Sequence, residues 1–187
     1  MQILTLLGSP RKHGNTEAVL RRFEASAVAA GHQVTSINVT QLRIDGCRGC
    51  DFCQGEPSEP CCAQTDDADD LLRQILTADL TVYASPVYCW SVTAQMKALI
   101  DRHYCLVKWV GGEVAAALMR GKRCALLLTC GGEAETNVDL TFPMFERQME
   151  YMQAEVAGLY ALDNCVGPKE DAARAEELAA RMAAELL

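Results

Sequence analysis

Gln2-Ile3-Leu4-Thr5-Leu6-Leu7-Gly8-Ser9-Pro10-Arg11-Lys12-His13-Gly14-Asn15-Thr16 decides the fold. Residues 2–7 are an apolar run broken only by Thr5, with no polar alternation. Such a run suits a central parallel strand buried on both faces. Small and hydroxylic residues follow, and then Ala18, Val19, Phe23 and Ala27 recur at helical spacing as far as Ala30, where Gly31 is a natural stop. A buried strand that feeds a helix through a loop of this kind leaves backbone N–H groups at the helix start. Together with the Ser9 and Thr16 hydroxyls, the Arg11 charge and Asn15, they can surround a phosphate. The loop is neither a Walker loop, since no Gly-Lys-Ser/Thr ending is present, nor the G-x-G-x-x-G fingerprint.

Outward from this unit the alternation continues. His32–Val39, Leu80–Ala84, Arg123–Thr129 and Glu155–Leu162 read as further strands, and 66–77, 92–104, 137–152 and 170–187 as helices. Pro143 should fall in the first turns of its helix or kink it. Residues 105–121 read as a short helix ending near Gly121. Strands alternating with helices imply an α/β, three-layer, doubly wound parallel sheet. Five strands fit the flavodoxin-like order 2-1-3-4-5 better than a six-stranded dinucleotide fold. The whole of 1–187 is expected to form one domain, with a cysteine-rich insert at about 45–63. Ligands in such sheets bind beyond the carboxyl ends of the strands, which here means loops 8–16, 40–62, 85–91 and 129–137.

The insert carries Cys47, Cys50 and Cys53 at C-x2-C-x2-C spacing, with Cys61 and Cys62 after them. Three thiolates on one turn and a fourth from a nearby return can hold a [4Fe–4S] cluster. Spacing favours Cys61 as the fourth, although Cys62 is adjacent. A four-thiolate zinc site, free thiols and disulfides are the competing readings.

Composition bounds the rest. The chain has 187 residues, ten cysteines and a formal net charge of -8. Excess negative charge argues against sequence-independent binding to nucleic acid or anionic membrane. Between Asp51 and Asp70 there are seven acidic residues and no Lys or Arg, a solvated face or a docking surface for a basic partner. Nothing near Met1 reads as a signal peptide, so a cytoplasmic, reduced chain is expected, in which clustered cysteines point to metal or redox chemistry.

Three stretches carry a family resemblance. Gly8-Ser9-Pro10-Arg11 with Gly14-Asn15-Thr16 resembles the phosphate loop of the NAD(P)H-dependent FMN reductase and multimeric flavodoxin superfamily. Ser85-Pro86-Val87-Tyr88, followed by Lys97 and Asp101-Arg102, is similar to the loop that lies against the isoalloxazine ring, and Thr129-Cys130-Gly131-Gly132 to the loop on the ring's other side. The cysteine run resembles that of the iron–sulfur flavoproteins in the same superfamily. The resemblance implies bound FMN and a [4Fe–4S] cluster in a homodimer or homotetramer. Electrons would come from a carrier such as a ferredoxin or from NAD(P)H. Ring contacts are expected from Pro86, Val87, Tyr88, Trp90, Thr129, Gly131 and Gly132, with N–H groups of Val87 and its neighbours donating to the flavin. Two rivals are an NAD(P)H-dependent FMN or quinone reductase without a cluster, and a non-enzymatic carrier like a flavodoxin.

Overall fold

A computed structural model describes all of residues 1–187. Five parallel strands form the sheet: β1 (Gln2–Leu7), β2 (Gln33–Asn38), β3 (Leu80–Pro86), β6 (Arg123–Thr129) and β7 (Glu155–Leu162), in the order β2-β1-β3-β6-β7. With β4 (Val107–Val110) and β5 (Glu113–Ala117) set aside, this is the flavodoxin-like 2-1-3-4-5 topology. Registers such as Leu4↔Thr35, Thr5↔Val82 and Leu126↔Leu159 align the strand ends into one carboxyl edge.

The alternation of side chains across each strand divides the core in two. Leu4, Leu6, Tyr83, Leu126 and Leu128 face α2 (Ala68–Thr77), α3 (Ala94–Arg102) and α4 (Thr141–Tyr151), joining Ile75, Met96 and Phe145. Ile3, Leu7, Val82 and Leu127 face α1 (Asn15–Ala29) and α5 (Ala172–Leu186), joining Val19, Phe23 and Met182. Each fully buried Leu or Phe contributes about 1.5–3 kcal/mol relative to exposure. Thr5 is the polar member of β1, and its hydroxyl donates to the buried Glu24 carboxylate. Pro143 sits in the first turn of α4 and leaves the helix intact, with the N–H groups of Phe142 and Met144 on either side still bonded to Val138 O and Leu140 O.

Residues 105–121 depart from the expected short helix. After a 3₁₀ turn over His103–Leu106, β4 (Val107–Val110) and β5 (Glu113–Ala117) pair as an antiparallel hairpin outside the main sheet. Gly111 (φ 62°) and Gly112 (φ 86°) form its two-residue turn. Two successive left-handed residues give the turn whose twist matches paired strands, and glycine adopts it without steric cost. No helix is long and apolar enough to cross a membrane.

Candidate functional site

Helix α1 starts without a side-chain cap. Gly14 precedes it in extended conformation, and no side chain bonds to its first turn. The first N–H groups are therefore free for an anion. His13, in left-handed conformation (φ 56°), turns the loop, and its N–H donates to Glu17 at 2.6 Å. Ser9 Oγ lies 3.3 Å from the Arg11 N–H. These residues form one wall of a cavity of about 450 Å³ at the carboxyl edge of the sheet, a volume in the range of small-ligand sites.

Pro86, Val87 and Tyr88 line a second wall, and Thr129, Cys130 and Gly131 a third. Nine of the expected cofactor residues thus meet in one cavity: Ser9, Arg11, Asn15, Thr16, Pro86, Val87, Tyr88, Thr129 and Gly131. Thr16 and Thr129 are buried and joined hydroxyl to hydroxyl at 2.6 Å, tying the first loop to the third. Asn15 donates to Asp171 at 3.0 Å, while its Oδ1 is buried without a partner. A buried acceptor left in this state beside a cavity is suited to a ligand hydroxyl.

Trp90 and Gly132 lie outside the lining. Trp90 Nε1 donates to Thr136 O at 2.9 Å, bracing the ring loop from behind, and Gly132 faces the Asn137 amide. The expected donation from the Val87 N–H is also corrected, since this group bonds to Thr129 O at 2.8 Å and the Tyr88 N–H bonds to Ser91 O at 2.8 Å. The turn between Tyr88 and Ser91 is a tight two-residue reversal in which Cys89 (φ 48°) and Trp90 (φ 59°) are both left-handed. Non-glycine residues there carry about 1–2 kcal/mol each. Cys89→Gly is therefore expected to stabilise the fold by about 1 kcal/mol, read as a higher urea midpoint at unchanged slope. An unchanged or lower midpoint would show that the turn is not strained.

A fourth wall was not legible from the sequence: Cys165, Val166, Gly167 and Pro168, in the loop after β7. Its signal was positional, because that loop also leaves the carboxyl edge. Asp171 organises it, accepting from Val166 N–H at 2.8 Å and Gly167 N–H at 3.0 Å as well as from Asn15. Burial pushes the Asp171 carboxyl up, but these donors and Arg174 outweigh it and hold the group below the usual carboxylate range. Burial pushes the Cys165 thiol up to about 11, making it a neutral wall residue.

The cysteine insert folds as a loop with a pinned neck. The Asp67 N–H donates to Arg43 O at 3.0 Å, the Arg43 N–H donates to the Asp67 carboxylate at 2.7 Å, and Gln64 Nε2 donates to Gly46 O at 3.1 Å. Arg102 reaches in from α3, donating through Nη1 to Asp45 O at 3.0 Å and Asp66 Oδ2 at 2.6 Å. Hairpin β4–β5 supports the other side. Lys108 Nζ donates to Cys53 O at 2.7 Å, and Gln54 bonds both Val107 O and Trp109 N–H. Tyr104 donates to Asp51 at 2.9 Å, which pushes the phenol up to about 12.

Within that frame Cys47, Cys50, Cys53, Cys62 and Cys105 line one small pocket of about 20 Å³ together with Asp51, Gln64 and Arg102. Cys61 is not in its lining. Its thiol turns to Cys53 O at 3.7 Å and packs against the core. The thiols do not close on a common point, and no three His, Cys, Asp or Glu side chains are spaced for a metal ion. The wall carries Arg48, Asp51 and the buried Arg102 (2% exposed); Lys108 (1% exposed) lies outside it, at Cys53 O, with no carboxylate partner. Arg102 Nη2 and Gln64 Oε1 are buried without hydrogen-bond partners. Burial pulls the Arg102 guanidinium down, and Asp66 and Cys62 beside it outweigh that and hold it up.

Comparison with known proteins agrees with this geometry. The chain is 38% identical over 102 residues to an iron-sulfur flavoprotein of Archaeoglobus fulgidus, covering 54% of this chain and 45% of that one. It is 32% identical over 85 residues to an FMN-dependent NADH:quinone oxidoreductase of Bordetella parapertussis, covering 44% and 41%. Both matches span less than half of the relative's own length. An NAD(P)H:quinone oxidoreductase from Methanothermobacter marburgensis superposes with a TM-score of 0.68 over 98% of this chain and 95% of its own, at 17% identity, which speaks to fold alone. Residues 1–159 match the family described as NADPH-dependent FMN reductase, and the chain belongs to that family.

Proposed function

We propose that this protein is an FMN-dependent oxidoreductase of the iron–sulfur flavoprotein type, in which FMN and a [4Fe–4S] cluster pass electrons from a one-electron carrier such as a ferredoxin to an acceptor. One observation carries the flavin reading. The phosphate-loop wall and the Pro86-Val87-Tyr88 wall face a single cavity of about 450 Å³ at the sheet's carboxyl edge. FMN, once bound, supplies the electron-pair and single-electron chemistry, and the cluster supplies single-electron chemistry. The chain's own part is to hold and shield these groups. The α1 N-terminus, Ser9 and Arg11 would take the phosphate. Asn15 Oδ1 would accept from a ligand hydroxyl. Tyr88 offers a flat face to the ring. At Gly131 an added Cβ would meet nothing within 4 Å, so its backbone borders open cavity, and its N–H has no protein partner. That N–H replaces Val87 as the donor available to ring acceptors.

The cluster reading is supported by the donor set around the second pocket, soft thiols with the buried Arg102, whose Nη2 has no hydrogen-bond partner. A free-thiol loop gives no reason for buried positive charge, whereas any four-thiolate centre, iron–sulfur or zinc, carries net negative charge. An NAD(P)H-dependent quinone reductase is the second reading, favoured by the relative from Bordetella.

Titration of flavin-free protein tests the flavin site. Ser9→Ala with Thr16→Ala is expected to weaken FMN about tenfold and leave riboflavin within twofold, measured by quenching of flavin fluorescence. Equal losses for both ligands would move the phosphate elsewhere. Iron and sulfide per chain after anaerobic purification test the cluster, and stopped-flow bleaching by reduced ferredoxin, NADH or NADPH identifies the donor.

A further inference from the structure

The turn that follows Tyr88 carries more strain than a two-residue reversal needs. Cys89 and Trp90 hold its central positions in left-handed conformation, φ 48° and 59°. Asparagine followed by glycine adopts such a turn at little cost, whereas a large side chain there is strained. A strained residue persists only where its surroundings hold it. Trp90 is held twice. Its indole Nε1 donates to Thr136 O at 2.9 Å, and its carbonyl accepts from the Thr141 hydroxyl at 2.8 Å. Thr136 ends the 3₁₀ turn Ala134–Thr136, and Thr141, 1% exposed, is the first residue of α4. One residue therefore fastens the loop after β3 to the loop after β6.

The same two loops are joined again at their base, where the Val87 N–H donates to Thr129 O at 2.8 Å. Along the first loop Tyr88 lies between the two ties, and along the second Cys130 and Gly131 do. These three residues line the cavity. The base tie runs between backbone groups and is open to most residue types. The tie at the tip needs the indole N–H of Trp90.

We propose that Trp90 is a positioning residue for the flavin ring, closing the far end of the two loops and so fixing the gap between the Tyr88 wall and the Gly131 wall. This rests on the flavin reading above. Trp90 lies outside the lining and acts through Tyr88 and Gly131. With the tip fastened, the slot is formed before a planar ring enters it, and little freedom is lost on binding. With the tip free, the ligand must order both loops itself. Neither side-chain tie of Trp90 reaches the 8–16 loop, so its loss should weaken FMN and riboflavin by the same factor.

The test titrates flavin-free protein with FMN and with riboflavin, by quenching of flavin fluorescence, and unfolds the same protein in urea without ligand. Trp90→Asn removes the indole and supplies a residue that tolerates the left-handed conformation. Its urea midpoint is expected to stay level or rise, while both dissociation constants rise about tenfold and keep their ratio. Trp90→Phe keeps an aromatic body without the N–H, and both constants should rise about threefold, in the range of one lost hydrogen bond. Thr141→Val keeps the side-chain shape and releases the Trp90 carbonyl. It should match Trp90→Phe, and it carries the test if the Trp90 variants do not fold. Unchanged affinity for both flavins, a loss confined to FMN, or a midpoint of Trp90→Asn that falls in step with affinity would each overturn the role of Trp90. Wild-type protein that takes up neither flavin removes the flavin reading and this inference with it.

Discussion

Asp171→Ala is expected to lower the stability of the protein by about 3 kcal/mol and to weaken FMN about tenfold. The reason is the number of donors that converge on one carboxylate. Val166 N–H, Gly167 N–H, Asn15 Nδ2 and Arg174 Nη1 all point at Asp171, which is 3% exposed. Deleting an acceptor from such a set leaves its donors unpaired, at about 1–3 kcal/mol for each one that stays buried. A loss of about 3 kcal/mol corresponds to a fall of roughly 6–12 °C in Tm for a chain of this size. The effect on flavin follows from position. Asp171 fixes the Val166–Gly167 wall and orients Asn15, which also lines the cavity, so its loss loosens two walls of the site at once.

The same group gives a pH signature. Its folded pKa lies below the ordinary carboxylate value, so its contribution is fully present above about pH 4, where the unfolded carboxylate is also ionised. It is lost as pH falls through the lower folded value. Asp171→Asn keeps one acceptor oxygen and cannot titrate there. It should start less stable than the wild type at pH 7 and lose less on acidification below pH 4. Thermal melts at pH 7 and pH 3.5, with and without FMN, provide the check, and parallel losses for the two proteins would remove Asp171 from the account.

What could be read from the sequence followed from how local the determining physics is. The run Ile3–Leu7, the helical spacing of Val19, Phe23 and Ala27, and the apolar Ala125–Leu128 each specify an element by themselves, and the strand order follows from their alternation. The hairpin at 107–117 was misread because Ala115, Ala116 and Ala117 satisfy a helix as well as a strand. The deciding signal was the Gly111-Gly112 pair, whose left-handed conformations suit a reversal between strands. Cavity residues on the strand-to-helix loops were legible because topology places such loops at one edge. The fate of the Val87 N–H was not, since it depends on Thr129 of the neighbouring strand. Neither was which of Cys61 and Cys62 lines the small pocket, since they differ by one position in sequence and by which way the side chain points. Arg102 and Lys108 belong to the same class. They enter the cysteine loop from α3 and β4, and only the fold brings them there.

On the cluster reading proposed above, Lys108→Met is expected to act in opposite directions on the metal-free and cluster-loaded protein. Lys108 is 1% exposed, its ammonium has one acceptor, Cys53 O, and it forms no salt bridge. In the absence of an anion nearby, a buried ammonium with one hydrogen bond out of three is a net cost. Methionine keeps the unbranched shape and removes that cost, so the metal-free variant should be more stable by about 1–2 kcal/mol, roughly 2–8 °C in Tm. The charge is explained if its counterion is the thiolate-bound centre beside it, where the low local dielectric strengthens attraction over several ångströms. Removing the ammonium then raises the free energy of the loaded state, and the variant should lose iron to a chelator at least tenfold faster than wild type. Melting the metal-free proteins and following chelator-driven bleaching of the loaded ones separates the two effects. A lysine present only to tie Cys53 O to the hairpin predicts the reverse for the first measurement, a lower Tm without metal, because Cys53 O would lose its donor and nothing would be gained. The segment 51–70 supplies no cation of its own, so an anionic centre held by this loop would draw its positive charge from Arg48 and Arg102, which line the pocket, and from Lys108 at Cys53 O.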